Sequence, residues 1–82
     1  MRVEETTKGG VKWLVFAKDM TGVEHHLVNI TRDGDFYRAR CVKGEIVRHN
    51  DFIAWSRSVM QAGNETKEYF KFFYPEFKVE RK

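Results

Sequence analysis

Hydrophobic and polar residues along the first half of the chain follow the pattern of β-strands. Residues 11–18 are dense in β-branched and aromatic side chains, and residues 24–31 alternate between two faces. The Asp33–Gly34 pair favours a two-residue hairpin turn, which predicts that residues 35–42 pair back as the next strand. A further turn leads into a short strand at 46–48. The pattern therefore predicts an antiparallel meander of three or four strands.

Apolar residues in the second half of the chain recur at the three- and four-residue spacing of a helix. The stripe that predicts a helix from about residue 51 to residue 62 consists of Phe52, Trp55, Val59 and Ala62. Asn50 or Asp51 can cap its start, and Gly63 supplies a stop. Residues 65–74 predict a further short helix, although their many rings also suit an edge strand. The predicted fold class is α+β, an antiparallel β-meander packed by one C-terminal-half helix.

Length and composition indicate a single domain for residues 1–82. A chain of 82 residues can build one hydrophobic core, and 41% hydrophobic with 15% aromatic residues fits a folded, ring-rich core. Residues 1–10 are polar and end in two glycines, which predicts a flexible N-terminal arm. One cysteine, no signal-peptide pattern and no stretch of about 20 apolar residues predict a cytoplasmic protein without a membrane partner.

Positive charge is concentrated in the second half of the chain. The formal net charge is +3, and ten of the 15 lysine and arginine residues lie between residues 38 and 82. A basic excess favours binding to a polyanion such as nucleic acid, although nucleic-acid-binding domains usually carry a larger one. The placement of the charge on the strands is therefore more informative than its total.

The strand after the hairpin turn carries the most informative group of residues. Period-two alternation turns one set of its side chains toward the core, namely Tyr37, Ala39 and Cys41. The opposite set, with two basic residues that follow it, is a predicted interface for RNA or single-stranded DNA: Phe36, Arg38, Arg40, Lys43 and Arg48. Arginine pairs with phosphate and an exposed ring stacks on unpaired bases. The same pattern also fits an ordinary solvated strand face on which neighbours such as Glu24 and Glu45 balance the arginines.

Aromatic residues interleaved with lysines near the C-terminus form a second candidate surface. On a helix, Phe70, Phe73 and Phe77 share one stripe, so the other rings cannot all be buried with them. The predicted partner-binding anchors, of which the tyrosines are the better candidates, are Tyr69, Phe72, Tyr74 and Phe77. This surface suits a homodimer, or an inhibitor or adaptor that resembles the small phage-encoded accessory proteins that dock on a host enzyme. Alternatively, a small core buries all the phenylalanines.

Histidine, cysteine and carboxylate residues form no catalytic or metal-binding motif. The candidate zinc ligands are His25, His26, Cys41 and His49. Adjacent strand residues such as His25 and His26 point to opposite faces, which argues against a shared metal. Phosphate-binding loops, nucleophile elbows and H-E-x-x-H motifs are also missing from the sequence. We therefore predict a non-enzymatic binding module without metal or cofactor. A third hypothesis is a small hydrolase assembled from His25, His49, Asp33 and Asp51.

Overall fold

The computed structural model describes residues 1–7, 12–44 and 46–75. In this part of the chain, five antiparallel strands form one sheet in chain order, and one helix follows them. The elements are β1 (Arg2–Thr6), β2 (Lys12–Lys18), β3 (Glu24–Asp33), β4 (Phe36–Cys41), β5 (Phe52–Ser56) and α1 (Val59–Phe73). The predicted α+β class, a meander packed by a C-terminal helix, is confirmed. The described helix is not long and apolar enough to cross a membrane.

The hairpin between β3 and β4 forms where the sequence predicts it, but one residue later. Asp33 pairs with Phe36, so the two central turn residues are Gly34 and Asp35. Gly34 has a φ of 62°, and among the described residues only glycines have a positive φ. Glycine at the first central position is the requirement of a type II′ turn, which suits the twist of a hairpin.

Residues 51–62 do not form the predicted helix. Phe52–Ser56 instead forms strand β5, which pairs with β4 along the residues from Tyr37 to Arg40. Phenylalanine, isoleucine and tryptophan all favour strands, and the free edge of β4 supplies the backbone partners that a strand needs. The short strand predicted at 46–48 is also absent, and these residues belong to the connection between β4 and β5.

Helix α1 begins later than predicted and runs through Gly63. Ser58 caps it by accepting a hydrogen bond from the Gln61 amide at 3.1 Å, and the Gln61 side chain accepts one from the Arg57 amide at 3.2 Å. The first bond satisfies an amide that the first helical turn leaves without an intrahelical partner, and the second ties the residue before the cap to the same turn. The helix interpretation of residues 65–74 is confirmed, and α1 ends at Phe73, just before Pro75.

The N-terminal residues form an edge strand, where the sequence predicts a flexible arm. Arg2–Thr6 pairs antiparallel with β2, with Arg2 opposite Phe16 and Thr6 opposite Lys12. The Arg2 guanidinium lies 4.3 Å from the Phe16 ring centroid and forms ion pairs with Glu4 and Glu24. Backbone pairing and these ion pairs therefore hold residues 2–6 on the sheet, although their polar composition predicts an arm. Residues 8–10 of the predicted arm lie outside the described residues.

The core lies between α1 and one face of the sheet. Its buried apolar residues are Val15, Ala17, Leu27, Val28, Ile30, Ala39, Cys41, Val47, Ala54, Ala62 and Phe70. The helix packs on β5, β4 and β3 through four buried residues spaced along one stripe, which are Ala62, Gly63, Thr66 and Phe70. The buried Thr66 hydroxyl donates to the Ala62 carbonyl at 2.8 Å, so its polar atom keeps a partner inside the core.

Replacing Gly63 by alanine is expected to raise the free energy of unfolding by about 0.5–1 kcal/mol, because alanine is the better helix former. An added Cβ at Gly63 meets no atom within 4 Å outside the local helix backbone, so no clash offsets this gain. Gly34→Ala is the matched control. The Gly34 φ of 62° makes that alanine costly, by about 1–2 kcal/mol. Urea unfolding of both variants measures the two effects, and a destabilised Gly63→Ala protein would contradict the packing described for α1.

Candidate nucleic-acid interface

The sheet has one face turned away from α1, and β4 and β5 supply its most distinctive side chains. The predicted alternation of β4 is confirmed, because Ala39 and Cys41 are buried in the core while Arg40 is exposed. Residues directly opposite each other in an antiparallel pair lie on the same face. The register places Trp55 opposite Arg38 and Phe52 opposite Arg40, so these four side chains share the outer face.

Three aromatic rings meet on this outer face, with Trp55 at the centre. The centroid of the Trp55 ring lies 5.4 Å from that of Phe36 and 6.2 Å from that of Phe52, and both pairs are edge-to-face. Trp55 is 56% exposed and Phe52 is 42% exposed. We call Phe36, Phe52 and Trp55 the aromatic platform. Large rings usually stabilise a small core, so rings left in contact with solvent on one surface make it a candidate binding site.

Arginine side chains surround the aromatic platform. The Arg38 guanidinium lies 5.6 Å from the Trp55 ring centroid, and the Arg57 guanidinium lies 5.8 Å from that of Phe36. Arg40 is exposed and donates to the Asn50 carbonyl at 3.0 Å. Cations held next to rings give the surface both of the chemical features that a nucleic-acid strand requires, namely a place for phosphate and a place for bases.

Arg38 is less free than the alternation of β4 alone suggests. Its Nη2 donates to the carboxylate of Asp33, and its Nε is buried without a hydrogen-bond partner. Of the predicted balancing carboxylates, Glu24 pairs with Arg2 at 2.8 Å, and Glu45 lies outside the described residues. The guanidinium therefore already has an anionic neighbour, which any phosphate has to replace or share.

The two other predicted nucleic-acid contacts lie in the connection between β4 and β5. Lys43 and Arg48 are both exposed there, and Arg48 Nη1 donates to the Gly44 carbonyl at 3.3 Å. They belong to a loop rather than to the open sheet face. The structure thus brings together Phe36, Arg38 and Arg40 and adds three residues that the sequence analysis missed, which are Phe52, Trp55 and Arg57.

The predicted partner-binding residues are divided between two environments. Tyr69 and Tyr74 are half-buried, with their hydroxyls 3.3 and 3.4 Å from Nε2 of His49. Burial raises the pKa of Tyr69 to about 12 and that of the Cys41 thiol to about 11. Phe72 is 78% exposed, whereas Phe77 lies outside the described residues. Phe72 is therefore exposed, as a surface anchor requires, whereas Tyr69 and Tyr74, the better candidates by sequence, are partly covered.

The histidines are spread over separate local contacts. Nε2 of His25 lies 2.7 Å from the Asp19 carboxylate, and Nε2 of His26 lies 2.7 Å from the Asn29 side-chain oxygen. Hydrogen bonds from Thr21 and His25 hold the pKa of Asp19 well below its usual range. Among the described residues, no group of three or more histidine, cysteine, aspartate or glutamate side chains is placed to hold a metal ion.

The outer sheet face is the surface from which a function can be inferred. No protein-family model, curated protein or solved structure matches this chain. Exposed rings beside guanidinium groups can stack on flat bases and neutralise phosphates at the same time. This combination is the chemistry that a functional proposal has to explain.

Proposed function

We propose that this chain is a non-enzymatic module that binds single-stranded nucleic acid on the outer face of β4 and β5. The observation that carries the proposal is Trp55, an exposed tryptophan flanked by two rings and placed beside Arg38. Base stacking on an aromatic side chain contributes about 1–3 kcal/mol per base. Paired bases are already stacked on their neighbours in a duplex, so this contribution favours an unpaired strand of RNA or DNA.

The charge distribution supports a contact confined to β4 and β5. The outer face near these strands carries Arg38, Arg40 and Arg57, of which Arg38 is paired with Asp33. On edge strand β1 at the far side of the sheet, Arg2 is paired with Glu4 and Glu24. The excess of positive charge around the aromatic platform attracts phosphates. A net charge of only +3 is compatible with binding because the cations lie close together around the aromatic platform.

Arg40→Gln is expected to weaken binding to single-stranded DNA or RNA by on the order of 1 kcal/mol, about fivefold in Kd. The slope of log K against log salt concentration should fall in magnitude by about 0.7, the value for one lost phosphate contact on a single strand. Fluorescence anisotropy with a labelled oligothymidylate and a labelled oligouridylate, at several salt concentrations, measures both quantities.

Arg32→Gln is the matched control for this charge change. Arg32 is exposed and donates to the Gly34 carbonyl at 3.0 Å, as Arg40 does to a different carbonyl. It lies opposite Tyr37, which packs against the core, and therefore belongs to the helix side of the sheet. Equal losses of affinity for the two variants would show that net charge alone drives binding and would remove the case for this interface.

Two exposed phenylalanines at the end of α1 favour a second candidate function, docking on another protein. Phe72 is 78% exposed, and its ring centroid lies 4.8 Å from that of the exposed Phe73. Rings on a protein surface supply much of the energy of many protein interfaces. Capture of one stoichiometric protein from a nuclease-treated lysate, lost in Phe72→Ala and retained in Arg40→Gln, would favour this function over nucleic-acid binding.

A further inference from the structure

Asp33 is placed to control access to the most protected arginine of the interface. It is the last residue of β3, pairs in register with Phe36 of the aromatic platform, and accepts a hydrogen bond from Arg38 Nη2. Among the ion pairs of the described residues, this is the one that reaches an arginine of the outer β4–β5 face. A carboxylate and a phosphate diester carry the same charge and bind the same donors of a guanidinium group.

Arg38 keeps its position through contacts other than Asp33. Its guanidinium lies against the Trp55 ring, and its Nε is buried, which leaves the terminal nitrogens as the end that faces solvent. The side chains of Arg38 and Asp33 are 39% and 51% exposed. An ion pair this open to water contributes little to stability, so another anion can replace it at little cost.

We infer that Arg38 and Trp55 form a single-nucleotide subsite, in which the base stacks on Trp55 and the adjoining phosphate displaces Asp33 from Arg38. This inference rests on the proposed function. Asp33 has two opposing effects on the subsite, because it helps to orient Arg38 and it repels the incoming phosphate. Packing against Trp55 and burial of Nε already orient Arg38, so repulsion and competition dominate. Asp33 is therefore a competitor built into the interface that lowers its affinity for phosphate.

The test is Asp33→Asn, which keeps the size and turn preference of the side chain while removing its charge. We expect it to bind the labelled oligothymidylate about two- to fivefold more tightly than the wild-type protein, which corresponds to an exposed ion pair of up to about 1 kcal/mol. Asp33→Thr should give the same gain, because threonine also lacks the charge and suits the end of a strand. This second variant keeps the test valid if Asp33→Asn folds poorly.

Asp35→Asn is the matched control, because Asp35 is an exposed carboxylate of the same hairpin with the same charge. Replacing Asp35 should change the affinity for the oligothymidylate by less than replacing Asp33 does. In an Arg38→Gln background, the gain from Asp33→Asn should disappear, since the competition acts through Arg38. A gain of equal size in Asp35→Asn, or one that persists without Arg38, would overturn the inference and leave the proposed function standing. A wild-type protein that binds neither oligonucleotide would instead refute the proposed function, and the inference with it.

Discussion

Replacing Trp55 by threonine is expected to weaken binding to single-stranded nucleic acid by about 1–3 kcal/mol, or about 5- to 150-fold in Kd. The reason is that the variant loses the central ring of the aromatic platform, which is 56% exposed and available for stacking. Threonine is a good strand former, and the ring lies outside the core, so the free energy of unfolding should change by less than about 1 kcal/mol. Anisotropy titrations and urea unfolding on the same preparations measure the two quantities.

Phe72→Ala and Trp13→Phe supply the controls for this experiment. Phe72→Ala removes an even more exposed ring from α1 and should leave oligonucleotide affinity unchanged. The chain has two tryptophans, and Trp13 lies on the helix side of the sheet in edge-to-face contact with Tyr37, 5.4 Å away. In Trp13→Phe, all tryptophan fluorescence comes from Trp55, and stacking should quench it on titration. An oligonucleotide that binds without quenching this fluorescence would place the contact elsewhere on the protein.

The strands of the first half of the chain could be predicted because their signals are local. The sequence predicts strands at residues 11–18, 24–31 and 35–42, and β2, β3 and β4 occupy those positions within about two residues. Alternation also indicated correctly that Ala39 and Cys41 face the core. The turn was displaced by one residue because Asp33–Gly34 and Gly34–Asp35 both suit a hairpin, and the pairing of Asp33 with Phe36 decides between them.

Strand β5 could not be recognised from local sequence, because its residues satisfy two patterns. Phe52, Trp55 and Val59 are spaced as on a helix, although the first two belong to a strand and the third begins α1. The strand forms through pairing with β4, which is a non-local contact that local propensity does not describe. One local signal did mark the true helix start, namely the Ser58 and Gln61 pair of a capping motif.

The prediction of a helix in place of β5 also affects half of the candidate interface. A helical stripe assigns Phe52 and Trp55 to the core, whereas a strand paired with β4 brings them to the outer face beside Arg38 and Arg40. The cations of this surface can therefore be predicted from β4 alone, whereas the rings beside them depend on the pairing of β5 with β4. The Asp33 contact was also missed, because it depends on where the hairpin places a carboxylate relative to a side chain five residues away.

Phe70→Ala is expected to have the largest effect on stability, lowering the free energy of unfolding by about 3–5 kcal/mol. Phe70 is completely buried, and its ring lies 5.3 Å from both Tyr69 and Tyr74 in the junction between α1 and the sheet. Truncation removes this apolar contact and leaves a cavity that the sheet cannot readily fill. Urea denaturation followed by circular dichroism measures the change. Equal slopes of the free energy of unfolding against urea concentration would establish that both proteins unfold in the same single transition.

Phe72→Ala is the control within the same helix, since it makes the same chemical change two residues away. Phe72 is 78% exposed, so its loss should cost less than about 1 kcal/mol. The contrast tests which side of α1 packs against the sheet. Similar losses of stability at the two positions would mean that the helix does not present one buried stripe to β4 and β5.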